Sequence, residues 1–135
     1  MTVYPNTAAL FLATTIRTAL AASHMALYTA LARPIGPAVT LGDITEASYD
    51  GYVRKAIANF LPSYLDPSGG ASIQSGTQQF DYGPVGAPPV TNNVLGFYLL
   101  DAAGAVVVIG SFDSAVPMSI VGDSIPVNLT LNYGR

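Results

Sequence analysis

The chain has 135 residues, of which 50% are hydrophobic and only 10% charged, with a formal net charge of −3 and no cysteine. That length fits a single domain over 1–135, and the missing cysteines exclude disulfides, thiolate metal sites and cysteine nucleophiles. Arg17, Arg33, Arg54 and Lys55 lie beside Asp43, Glu46 and Asp50, whereas residues 56 to 134 carry five aspartates and no Lys or Arg, so the clustered cations of a nucleic-acid groove are not expected.

An average soluble domain is about 25% charged. Here Thr, Ser, Asn, Gln, Gly and Pro must cover most of the exterior, which protects a lone monomer poorly against association. The composition therefore predicts an oligomer or a subunit of a larger assembly. The uneven charge either orients copies head to tail or is a scattered acidic surface kept for solubility.

In chain order, residues 1–22 form an N-terminal helical segment. Asn6 or Thr7 caps the helix, and Leu12, Ile16, Ala19 and Leu20 share one face at helical spacing. The start, MTVYPN, lacks the Lys or Arg of a signal peptide. Arg17 and His24 interrupt the apolar run, leaving pieces too short for a bilayer. The expectation is a soluble chain with an intact N-terminus and no membrane span.

HMALYTAL, His24–Leu31, reads as the first strand or as a continuation of the helix, and the prolines and glycine of ARPIGPAV stop either one. Residues 71–80 read as one or two strands around Gly76, followed by a Pro/Gly loop over GPVGAPPVTN. NVLGFYLLD and AVVVIGSF, joined through Asp101–Gly104, predict a β-hairpin. Asp113-Ser-Ala then predicts a turn toward a short strand at Val116–Ile120, and Val121-Gly122-Asp123 another turn. In SIPVNLTLNY, Ile125, Val127, Leu129 and Leu131 alternate with polar residues, the period of a half-buried strand. Pro126 donates no N–H, so the strand is an edge there or begins just after it. These elements predict a mainly β fold: a compact β-sandwich or jelly-roll-like domain over 23–135, after the N-terminal helix.

The densest group of functional side chains is DITEASYDGY. It fails the EF-hand pattern, because Thr45 and Ala47 stand at the third and fifth positions and Gly51 at the ninth. Scaffolding accounts for it: Asp43 starts a helical turn, Glu46 returns a capping-box bond, and Asp50-Gly51 makes a turn with a positive backbone angle. Tyr49 and Tyr52 pack their rings and present hydroxyls at the rim. His24 is the one histidine, too few for a zinc site without several carboxylates, and no G-x-S-x-G elbow accompanies it. No glycine run matches a phosphate-binding loop. Eight tyrosines suit either a sugar platform or core and interface packing. No catalytic, cofactor or metal residue is predicted.

LYTALARPIGPAVTLGDITEASYDGYVRKAI, NVLGFYLLDAAGAVVVIGSF and GDSIPVNLTLNYGR together resemble a family of small phage and prophage virion proteins. That family carries an early L-Y strand, a T-L-x-D-[FI]-T-E-A-x-[FY]-x-G-Y motif, a G-[FY] hairpin and a closing G-D-x-[IL]-x-V strand. The matching positions are Leu27, Tyr28, Thr40, Leu41, Asp43, Ile44, Thr45, Glu46, Ala47, Tyr49, Gly51, Tyr52, Gly96, Gly122, Asp123 and Val127. The resemblance, over roughly 24–133, implies a non-enzymatic structural subunit of the virion, a capsid decoration or cement protein. It would bind its own copies and other virion proteins such as the major capsid protein. A carbohydrate-binding or receptor-binding module of a phage tail is the alternative, and a hydrolase built on a serine, His24 and an aspartate a third reading.

Overall fold

The computed structural model describes residues 15, 16, 18, 20, 22–57, 64–65 and 71–133. They are strand and turn almost throughout, and every strand pairing recorded residue by residue is antiparallel. The N-terminal helical segment expected over 1–22 falls largely outside the described residues; within it, Thr15, Ile16, Thr18 and Leu20 are helical. No helix among the described residues is long and apolar enough to cross a membrane.

The chain divides into two compact units, 1–22 with 57–78 and 127–135, and 23–56 with 79–126. The second holds a five-stranded sheet of β1 (His24–Leu31), β2 (Ile44–Glu46), β3 (Lys55–Ala56), β7 (Asn92–Leu100) and β8 (Val106–Met118), ordered β2-β1-β7-β8 with β3 also on β1. HMALYTAL has good helix formers, yet β1 is a strand over the expected bounds because β7 pairs along one edge and β2 and β3 share the other. Met25, Ala26, Leu27 and Tyr28 are buried in succession, the mark of a strand covered on both faces. Ala26, Tyr28, Tyr98 and Leu100 form a core cluster, with Leu31, Ile44, Val106 and Ile109 packed around it.

The expected hairpin is β7–β8. Its turn is fixed by the Asp101 carboxylate, which accepts the N–H bonds of Ala103 and Ala105, each at 2.9 Å. One expectation fails here. Asp113-Ser-Ala does not turn the chain, because β8 runs on to Met118. Val94 pairs with Val116 and Gly96 with Ser111, so Phe112–Ala115 all stand opposite Leu95 as a wide bulge. The extra residues are absorbed inside the strand, while the turn comes later, where Asp123 binds the N–H groups of Ser119 and Ile120.

The first unit contains β10 (Thr130–Tyr133), β5 (Ala71–Gln74) and β4 (Tyr64–Leu65), ordered β10-β5-β4. β6 (Gln78–Asp81) and β9 (Ser124–Val127) form a two-stranded sheet, which leaves Pro126 on an edge pair as its missing N–H requires. SIPVNLTLNY is thus two strands rather than one. Ile125, Val127 and Leu129 are buried in alternation as expected, but pairing passes from one sheet to another at Asn128-Leu129, where Leu129 exchanges bonds with Ser75 instead.

Candidate functional site

The segment 40–54 is assembled around three carboxylates, and each is engaged by neighbours. Thr40 precedes a one-turn 3-10 helix, Leu41–Asp43. Asp43 closes that turn instead of starting it: its Oδ2 accepts from the Thr40 N–H at 2.9 Å and the Thr40 hydroxyl at 3.2 Å, and Arg33 Nε lies 3.0 Å away. The Thr40 backbone bond above all, then the hydroxyl and Arg33, hold the Asp43 carboxyl below its ordinary range against the opposing effect of desolvation.

Glu46 does not complete a capping box with Asp43. It lies in β2, where Oε2 accepts from the Tyr52 hydroxyl at 2.7 Å and Arg54 bonds both carboxylate oxygens at 2.8 and 2.9 Å. Burial opposes its ionisation, but these bonds outweigh it and leave the carboxyl below its ordinary range. The Tyr52 oxygen also accepts the Leu27 N–H at 3.1 Å, tying the motif to β1. Burial and the bond to Glu46 push the Tyr52 hydroxyl pKa up.

Asp50 is the hub of the prolyl loop. Its Oδ2 accepts the N–H groups of Gly86 at 2.7 Å and Val90 at 3.1 Å and the Tyr82 hydroxyl at 3.4 Å. Its backbone carbonyl accepts from Gly83 N–H and its N–H donates to the Val90 carbonyl. The Gly86 and Val90 bonds hold its carboxyl below its ordinary range.

The tyrosines differ from expectation. Tyr49 is 2% exposed, with its ring edge-on to Tyr52 at 5.4 Å and stacked on Tyr82 at 6.1 Å. Its hydroxyl is buried without a hydrogen-bond partner, and burial, with the charge of Asp81, pushes its pKa up to about 12. Neither Tyr49 nor Tyr52 offers a free hydroxyl at a rim, because the segment folds inward onto Tyr82 and Phe80. Tyr28, Tyr82 and Tyr98 are buried as well, so these five rings make no exposed platform for a sugar.

His24 is exposed at the start of β1 and shares a cleft of about 300 Å³ with Arg54, Leu100, Asp101, Ala102 and Gly104. Among the described residues that line it, Asp101 is the carboxylate and there is no serine. Among the described residues, no group of three or more His, Cys, Asp or Glu gathers to hold a metal.

Two predictions arise here. Tyr49→Phe removes an oxygen that has no partner and should leave stability unchanged or raise it by up to about 1 kcal/mol, whereas Tyr52→Phe strips a bond from Glu46 and one from Leu27 and should cost about 1–3 kcal/mol in urea unfolding. The second concerns acid. Asp43, Glu46, Asp50 and Asp123 all have folded-state pKa values below their unfolded ones. Unfolded carboxylates titrate near 3.9–4.3, so this stabilisation is complete above about pH 5 and is lost as pH falls through the folded values. The thermal midpoint should be level from about pH 7 to 5 and drop below about pH 4; a level midpoint down to about pH 3 would contradict the assignment.

A larger opening lies elsewhere. A groove of about 630 Å³ borders the β8 bulge and is lined by Leu31, Ile35, Leu95 and Phe112 with Arg33 and Asp113. No sequence motif points to it, because the register slip that makes the bulge is set by pairing with β7. No family model, curated protein or solved structure matches this chain.

Proposed function

We propose that this protein is a non-enzymatic structural subunit of a virus particle, a capsid decoration or cement protein that works through protein–protein contacts. Its partners are its own copies and other virion proteins such as the major capsid protein, and its place is the virion. The same proposal includes a sandwich or jelly-roll arrangement of the sheets, with residues 1–22 helical.

The observation that carries this reading is the exterior. Nine large aliphatic side chains are exposed among the described residues, from Ile35 to Val121, in a chain with only 13 Lys, Arg, Asp and Glu to keep copies apart. The carboxylates of the 40–54 motif, by contrast, are engaged by Thr40, by Gly86 and Val90 N–H groups, by Tyr52 and Tyr82, and by Arg33 and Arg54. The resemblance of that motif to phage virion proteins supplies the particle.

The test is to express the chain with the capsid and tail genes of the genome that carries it and to fractionate the particles on a density gradient. The chain should migrate with the particles at a fixed stoichiometry. Recovery at the top of the gradient, with particles complete without it, would sink the reading.

A further inference from the structure

β5 and β10 bring two polar runs together, Gln74-Ser75-Gly76-Thr77 and Asn128-Leu129-Thr130. Val127 and Leu129 are buried, and the alternation that hides them turns Asn128 and Thr130 outward. Between the runs lies a cleft of about 300 Å³ lined by Gln74, Ser75, Gly76, Thr77, Asn128 and Thr130. All six residues belong to the first unit. Their side chains offer amides and hydroxyls, with no charge, ring or large apolar group among them.

The walls are held in place. Leu129 commits both of its backbone groups to Ser75: its N–H donates to Ser75 Oγ and its carbonyl accepts the Ser75 N–H, each at 2.9 Å. The Thr77 hydroxyl donates to Asn128 Oδ1 at 2.6 Å, and Gln74 Nε2 donates to Thr130 Oγ1 at 3.5 Å. These bonds leave a mixed set unused. Among the described residues, the Asn128 amide N–H groups and the Ser75 and Thr130 hydroxyl protons have no acceptor, and Gln74 Oε1 has no donor. Ser75 is only 5% exposed, so bulk water reaches it poorly. Side chains fixed in this way lose little ordering when a ligand docks.

We propose that this cleft binds a neutral sugar through adjacent hydroxyl groups, a function separate from the particle role. Each sugar hydroxyl donates and accepts at once, and a neighbouring pair matches donors and acceptors set side by side, as on Asn128, Thr130 and Gln74. Other ligands find less. A nucleotide phosphate or a sialylated glycan would meet no cation, because residues 56 to 134 hold five aspartates and no Lys or Arg. A cation would meet no carboxylate in the lining, and an apolar group no apolar wall. An extended peptide would add through main-chain bonds, which Leu129 already makes with Ser75. No ring lines the cleft to stack on the sugar, so hydrogen bonds alone hold it and the affinity is in the millimolar range.

Titrating the isotope-labelled full chain with neutral oligosaccharides of glucose, galactose, mannose and N-acetylglucosamine, followed by amide NMR, tests this. At least one of them should shift the side-chain amide signals of Asn128 and Gln74 saturably, together with the backbone signals of 75–77 and 128–130. Asn128→Asp keeps the shape of an exposed side chain and its bond from Thr77 but replaces the amide donors with an acceptor. It should hold the wild-type thermal midpoint and bind that sugar about tenfold more weakly, the loss of a hydrogen bond. No saturable shift with any of the sugars, shifts confined to other parts of the chain, or equal binding by Asn128→Asp would overturn the proposal. Tighter binding of a sialylated or phosphorylated counterpart would overturn it too. Asn128→Asp should still migrate with particles; its loss from them would make the cleft a protein contact instead. A wild type that binds the sugar yet stays at the top of the gradient would support the cleft and sink only the particle role.

Discussion

Replacing Gly51 with alanine should lower stability by about 3 kcal/mol or more, which in urea moves the midpoint down by about 1–2 M. Gly51 has φ +87°, and a Cβ there would collide with the backbone of Gly83, whose N–H is bonded to the Asp50 carbonyl. The left-handed backbone alone costs an L-residue about 1–2 kcal/mol, and forcing atoms into backbone that cannot retreat adds about 1–3 kcal/mol. Gly104 separates the two effects. It has the same φ of +87°, but a Cβ there meets nothing within 4 Å. Gly104→Ala should therefore cost only the conformational part, about 1–2 kcal/mol. Equal losses at the two positions would mean that the approach of 50–51 to Gly83 is not what holds the prolyl loop.

Tyr98→Ala should cost about 3–5 kcal/mol. Tyr98 is fully buried in β7, the strand between β1 and β8, where it pairs across to Ala26 and Ile109 and packs with Tyr28 and Leu100. Removing the ring opens a cavity in a sheet whose neighbours are fixed by hydrogen bonds on both sides, so the site cannot collapse around the loss. Tyr98→Phe keeps the ring and removes a buried hydroxyl without a hydrogen-bond partner, so it should stay within about 1 kcal/mol of wild type. Chemical denaturation of the pair distinguishes packing from polarity: a large loss in Tyr98→Phe would show that the oxygen, not the ring, matters.

Acid sensitivity and the substitutions at Gly51 and Tyr98 probe different interactions. Asp43, Glu46 and Asp123 accept hydrogen bonds from groups 3 to 8 residues away, and Asp50 from the Tyr82 hydroxyl and the Gly86 and Val90 N–H groups, 32 to 40 residues away. Gly51 acts through its close approach to the Gly83 backbone, and Tyr98 through packing in the core cluster.

The sequence by itself determined what neighbouring residues decide. Prolines and glycine after Leu31 end β1; Asp101 to Gly104 makes the hairpin turn; Asp50-Gly51 makes a turn with positive φ; alternation hides Ile125, Val127 and Leu129. Turn chemistry and side-chain period are local, so they survive without knowledge of the rest of the chain. Only the tertiary structure decided which groups meet beyond the span of a single turn. It turned Tyr49 inward, gave Glu46 to Tyr52 and Arg54, split 124–133 between two sheets, and drew Phe112–Ala115 into a bulge with a groove beside it. Register and buried partners follow from pairing energies summed over distant strands, and no short window of residues contains that sum.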